Sequence, residues 1–206
     1  MPSAATAQPA WAPARRARAG LGRTFQRADL FADLTVRETV SLALEARERT
    51  TLTSTLLVLP EGTRAERRKA AQADELIGFL GLGRYADAAI RELSTGTRRI
   101  VDLACLLALD ARLLCMDEPT AGVAQKEAEA FGPLIKRVQA ELGASILVIE
   151  HDIPLIMAIS DRMYCLEAGR VIAEGPADVV RNDARVIASY LGTDERAVAR
   201  SGPSQG

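Results

Sequence analysis

The rhythm of hydrophobic and polar positions changes at Ser94. Before it, residues from about 30 to 93 read as a mostly helical block. Thr35-x-x-Glu38 is a capping box opening "VRETVSLALEARER", and Thr63-x-x-Glu66 is a second, opening "RAERRKAAQADELIGFL". Each box stabilises a helix start by about 1 kcal/mol. Between them, "TLTSTLLVLP" is an apolar linker suited to packing on the helices or on a partner. After Ser94, helices and short apolar runs alternate: "TRRIVDLACLLALD" then "RLLCM", "QKEAEAFGPLIKRVQAEL" then "SILVIE", "IPLIMAIS" then "RMYCLE". The runs lack polar alternation, as strands covered by helices on both faces do. Met163 to Glu174 reads as a hairpin with Ala168-Gly169 at its tip. "PADVVRN", with Pro176 at a first helical position, and "DARVIASYL" read as two closing helices. The alternation predicts an α/β domain with a largely parallel sheet.

At the N-terminus, residues 1–13 are rich in Ala and Pro and read as disordered or vestigial. "ARRARAG" suits a short helix closed by Gly20, and "GLGRTFQ" an extended segment ending at Gln26. Composition adds few constraints. Of 206 residues, 48% are hydrophobic and 26% charged, an ordinary globular balance. A net charge of −1 argues against general electrostatic binding to nucleic acid or anionic lipid. No apolar run approaches a membrane span, and the N-terminus has no apolar core of a secretory signal. Cys105, Cys115 and Cys165 stand at wide, unpatterned spacing and read as buried small hydrophobes in a reducing compartment.

Four short stretches carry chemistry. "LLCMDEP" is an apolar run delivering Asp117 and Glu118 at its end. Such a strand end suits a magnesium ligand and a carboxylate that activates water, although two solvated acids before a turn look the same. "LSTGT" puts the Ser94 hydroxyl and unhindered amides near Gly96 at a helix start. That is either an anion site or an ordinary serine cap. His151, the sole histidine, follows "SILVIE" and is a phosphate or water contact or simply a solvated strand-end histidine. Gln26 follows "GRTF" and suits either a magnesium or water contact or an exposed position.

Order and spacing decide between these readings. Gln26, a helical block, Ser94-Thr95-Gly96, Asp117-Glu118 and His151 together resemble the second three-quarters of an ABC-type ATPase domain. The Q-loop is "RTFQ", the signature "LSTGT", the Walker B strand "LLCMDEP", the D-loop "AGVA", and the switch histidine lies in "VIEHD". The tail "GRVIAEGPADVVRNDARVIASYLG" is similar to the ATP-binding subunits of branched-chain amino acid-type importers. The resemblance covers about residues 14–192, with 193–206 a flexible tail and about 30–93 the helical subdomain that docks on a permease. It implies a P-loop NTPase-type sheet, and a subunit that binds ATP and Mg2+ and couples hydrolysis to solute import. It also implies a second ATP-binding subunit, identical or different, and a peripheral place on the cytoplasmic face of the plasma membrane, with no nucleic acid partner. By resemblance, Glu118 is the base, Asp117 the magnesium ligand, and Gln26 the magnesium contact and γ-phosphate sensor. His151 stabilises the transition state, and Ser94 and Gly96 clamp ATP held by the partner.

Several positions depart from the family pattern. Thr95 and Thr97 replace the usual Gly and Gln of the signature, and Ala124 replaces the usual D-loop Asp. No G-x-x-x-x-G-K-[ST] occurs, and "GLGRTF" and "GLGRYA" lack the following Lys-Ser or Lys-Thr. The expectation is therefore an N-terminally truncated subunit that does not hydrolyse ATP alone and whose sheet, without the cradle strand and its helix, exposes an apolar face near Leu113 to Met116 and Ile146 to Ile149. The competing readings are a non-catalytic partner or remnant and a soluble, non-transport ABC ATPase. The segment between Gln26 and Ser94 is too short for the long coiled coil that the latter would carry.

Overall fold

The computed structural model describes residues 11–24, 30–47 and 60–189. The chain divides into two units, Met1–His151 and Asp152–Gly206.

The first unit is organised by strand β2 (Leu113–Asp117). It pairs in parallel with β1 (Leu21–Arg23) on one side and β3 (Ser145–Ile149) on the other, giving the order β1-β2-β3. Parallel neighbours need long crossovers, and α5 (Gln125–Leu142) supplies the one between β2 and β3. The glycine of left-handed backbone that ends α5 is Gly143, at φ +62°. Alternation along β2 gives the sheet two unlike faces. Leu114 and Met116 are 0% and 2% exposed, with Val101, Leu103 and Val138 also buried in this unit. On the opposite face, Leu113, Leu147 and Ile149 are exposed at 37%, 53% and 58%. The apolar runs alone suit cover on both faces, whereas the expected lack of a cradle strand and its helix leaves one apolar face exposed. Among the described residues, only the Leu114 side is covered.

The Gly-x-Gly of "GLGRTF" has a packing explanation. The short helix α1 (Pro13–Arg18) ends before Gly20, which takes φ +92° and whose carbonyl accepts from the Arg112 and Leu113 amides. Gly22 lies against the end of α4 (Thr95–Ala108) and the turn after it. A Cβ there would stand 2.8 Å from Ala111 Cβ and 3.2 Å from Leu106 Cδ2. Gly22→Val should therefore push β1 away from β2 and destabilise the chain by about 1–3 kcal/mol. Urea unfolding checks this, and a variant as stable as the wild type would contradict the close approach.

Helices α2 (Val36–Arg47), α3 (Pro60–Phe79) and α4 pack together. Their buried positions follow helical spacing, with Val36, Val40 and Leu44 on α2 and Ala73 and Ile77 on α3. The first capping box forms as read. The Thr35 amide donates to Glu38 Oε2 at 2.8 Å and the Glu38 amide to Thr35 Oγ1 at 3.2 Å. The Thr35 amide and, after it, the Thr35 hydroxyl, which donates to the same Oε2 at 2.9 Å, hold the Glu38 carboxyl below its ordinary range. The second box does not start its helix. α3 begins at Pro60, whose missing N–H costs nothing in a first turn, so Thr63 and Glu66 lie inside it. The linker "TLTSTLLVL" lies outside the described residues.

The cysteines are free and half-buried rather than fully buried. Burial, and after it the Asp102 carboxylate, pushes the Cys105 thiol up to about 12. A thiol so raised stays protonated and unreactive near neutrality. Native-state alkylation at pH 8 should therefore leave Cys105 slow to label, with labelling restored in denaturant. Fast native labelling would contradict this.

In the second unit, Asp152 caps α6 (Ile153–Ile159) by accepting from the Leu155 amide at 3.0 Å. Strands β4 (Met163–Glu167) and β5 (Arg170–Gly175) form the expected antiparallel hairpin. Ala168 and Gly169 at its tip are both left-handed, at φ +46° and +77°, as a two-residue turn matching strand twist requires. Pro176 is the cap of α7 (Ala177–Arg181) rather than its first residue, and residues 184–189 are helical. Arg185 hydrogen-bonds Asp183 through its side chain and amide and holds that carboxyl down to about 2.

Candidate functional site

Parallel pairing collects chemistry at the C-terminal ends of neighbouring strands. Asp117 stands opposite Ile149, so Glu118 and the residues after β3 lie side by side although more than thirty positions separate them. The Glu118 amide continues the ladder by donating to the Ile149 carbonyl at 2.9 Å. Glu118 itself is in left-handed backbone, at φ +47°. His151 Nδ1 is 3.9 Å from Glu118 Oε1, close enough for electrostatic contact but beyond hydrogen-bond reach. The imidazole side chain is 76% exposed and the Glu118 side chain 37%, so the pair faces solvent. The adjoining strand adds Arg23, whose Nη2 is 3.5 Å from Asp117 Oδ2. Gln26 follows that strand by three positions and lies outside the described residues. The structure thus brings Asp117, Glu118 and His151 together at one end of the sheet.

Ser94 and Gly96 belong to a second cluster, at the N-terminus of α4. Ser94 caps this helix, accepting from the Thr97 amide at 3.2 Å. An open anion seat was expected here. Instead, Glu127 of α5 occupies it. Ser94 Oγ donates to Glu127 Oε1 at 2.7 Å, and a Cβ on Gly96 would stand 2.7 Å from Glu127 Oε2. A serine hydroxyl has one proton to give, so this contact commits it. The seat attracts negative charge for the reason read from sequence, and the chain supplies that charge itself.

The turn from Pro119 to Ala124 touches both clusters. The Thr120 amide and hydroxyl donate to Glu150 Oε1 at 2.9 and 2.6 Å, and Val123 Cγ1 lies 3.0 Å from a Cβ built on Gly96. The Glu150 side chain has no exposure, and its Oε2 accepts from the His151 amide at 3.2 Å. The sequence reading passed over Glu127, Glu150 and Arg23. One available signal was a glutamate ending an otherwise apolar strand run immediately before the sole histidine.

The donor types suit a small hard cation bound partly by its ligand's own oxygens. Among the described residues no group of three or more His, Cys, Asp or Glu is placed to hold a metal alone. Mg2+, however, ordinarily takes one or two carboxylates and completes its shell with water and phosphate oxygens. Asp117 offers such a carboxylate, and it already faces the positive charge of Arg23.

The chain also resembles known proteins along most of its length. The family profile described as "ABC transporter" matches residues 4–121, and one described as "Branched-chain amino acid ATP-binding cassette transporter" matches residues 170–196. The high-affinity branched-chain amino acid transport ATP-binding protein LivG of Escherichia coli K12 is 35% identical over 176 residues, 85% of this chain and 69% of that protein. The corresponding protein BraF of Pseudomonas aeruginosa is 32% identical over the same shares. Among solved structures, an ATP-binding cassette of an ABC transporter in its ADP conformation superposes with a TM-score of 0.70. It is 28% identical, and the match covers 87% of this chain and 71% of that one. A strand-end carboxylate pair beside a histidine, a serine-capped helix after a helical block, and these similarities have one common explanation: the chain belongs to the family of ABC transporter ATP-binding subunits.

Proposed function

We propose that the chain serves an importer of branched-chain amino acids or closely related solutes. The subunit sits peripherally on the cytoplasmic face of the plasma membrane. It docks on permease subunits, through residues of about 30–93, and pairs with a second ATP-binding subunit, identical or different. The observation carrying this reading is the convergence of Asp117, Glu118 and His151 on adjacent strand ends. The relatives' names and the profile at residues 170–196 support the substrate class.

In this reading, Mg-ATP supplies the phosphoryl group whose transfer to water drives transport. Asp117 holds Mg2+ together with Gln26. Glu118 orients a water and takes its proton, and Gln26 senses the γ-phosphate. His151, within 3.9 Å of Glu118, adds a donor where negative charge develops. Ser94 and Gly96 face nucleotide held by the partner, once Ser94 releases Glu127. The 206 residues contain these acid and signature elements but no G-x-x-x-x-G-K-[ST] cradle. Calorimetry on the 206-residue chain alone should therefore detect no tight Mg-ATP binding, since carboxylates without the cradle's amides and lysine repel a polyanion. For function, the chain is reconstituted in vesicles with permease and partner subunits. ATP-driven uptake of leucine, isoleucine or valine should appear and fall with Ser94→Ala. Uptake indifferent to Ser94→Ala, or no uptake of any of the three, would overturn the reading.

A further inference from the structure

We propose that Glu150 is a positioning residue that fastens the turn after β2 to His151, so that displacement of the signature helix or of that turn is passed to the histidine. The inference rests on the reading of His151 and Ser94 given above.

A carboxylate withdrawn from water is costly unless its charge is well satisfied. The Glu150 side chain is fully withdrawn, and among the described residues its hydrogen bonds come from two segments. One oxygen takes both Thr120 donors, at 2.9 and 2.6 Å, while the other takes the His151 amide at 3.2 Å. The planar carboxylate is thus a rigid bracket between the two. An apolar residue would cost less at the end of a strand, which makes a positioning use the better explanation of the charge. On the far side the same turn meets the signature helix, where Val123 Cγ1 would stand 3.0 Å from a Cβ on Gly96. The turn is braced internally by Ala121 donating to the Glu118 carbonyl and Val123 donating to the Thr120 carbonyl, both at 3.0 Å. The contacts therefore run from Gly96 through Val123, Thr120 and Glu150 to His151, which faces Glu118. Contiguity alone does not establish coupling, which a double-mutant cycle measures directly.

His151 is the only histidine, so its imidazole Hε1–Cε1 signal in untagged protein is a single resonance. Thr120→Val removes one donor to Glu150 and touches neither His151 nor a strand. It should displace the His151 signal at fixed pH, while Thr120→Ser, which keeps the hydroxyl, should restore the wild-type position. In a Glu150→Gln background, Thr120→Val should displace the signal much less. A signal unmoved by Thr120→Val in the wild-type background overturns the proposal whether or not Glu150→Gln folds. An equal displacement in both backgrounds overturns it as well. No nucleotide enters this readout, so failure of the transport reading and failure of this one are separate results.

Discussion

Gly96→Asp is expected to reduce ATP turnover at the shared site of a mixed pair by at least about 100-fold, the usual effect of losing a preorganised donor to transition-state charge. The pair comprises this chain and an intact homologous subunit that supplies the phosphate cradle. The structure gives two reasons for so large an effect. The new Cβ would stand 2.7 Å from Glu127 Oε2 and 3.0 Å from Val123 Cγ1, so the Glu127 carboxylate must swing away and Val123 must give. The new carboxylate would also face both Glu127 and an approaching phosphate. Ser94→Ala is the milder companion, since it removes the donated proton at a capping cost of about 1 kcal/mol. Glu127→Gln should act in the opposite direction, because it lowers the charge that competes for Ser94. Glu118→Gln in this chain should matter far less than Gly96→Asp, because Glu118 serves this chain's own site. Steady-state ATPase of the mixed pair is the measurement. Equal damage from Glu118→Gln and Gly96→Asp would mean that the chain holds nucleotide itself.

The second large effect concerns the two faces of the sheet. Leu114→Ala should destabilise the first unit by about 3–5 kcal/mol, since a fully buried leucine on the central strand leaves a cavity bounded by α4. Leu147→Ala, on the exposed face of the neighbouring strand, should stay within about 0.5 kcal/mol. Both are read from denaturant unfolding. A comparable loss from Leu147→Ala would mean that its face is covered in the folded protein.

That contrast also marks how far the sequence was legible. The short apolar runs, the helices between them, the capping box at Thr35 and the hairpin tip at Ala168-Gly169 follow from local chemistry, and local chemistry is what a sequence displays. The meeting of Asp117, Glu118 and His151 was legible from the order of the motifs, because parallel strands bring their ends together. Glu127 and Glu150 were not. Each gains its meaning from a partner about thirty positions away, Ser94 or Thr120, and nothing local separates such a glutamate from one in solvent. The Thr63 box failed for another reason. Pro60 is an equally good helix start, and the pattern between Pro60 and Thr63 was compatible with either. The exposed sheet face was legible from the missing cradle motif and not from the apolar runs, which do not say which of their faces is covered.

Glu118 holds a left-handed backbone that costs a side-chain-bearing residue of order 1–3 kcal/mol, and that glycine or asparagine adopts more readily. Selection for foldedness alone and selection for activity should therefore favour different residues at this position. A library randomised at codon 118 and sorted for stability should drift toward glycine and asparagine. Sorted for ATP-driven growth, it should return to glutamate if the side chain contributes to turnover, and keep the drift if this chain's own site is silent. The backbone angle thus turns one position into a ledger of evolutionary trade-off, readable without assaying the enzyme.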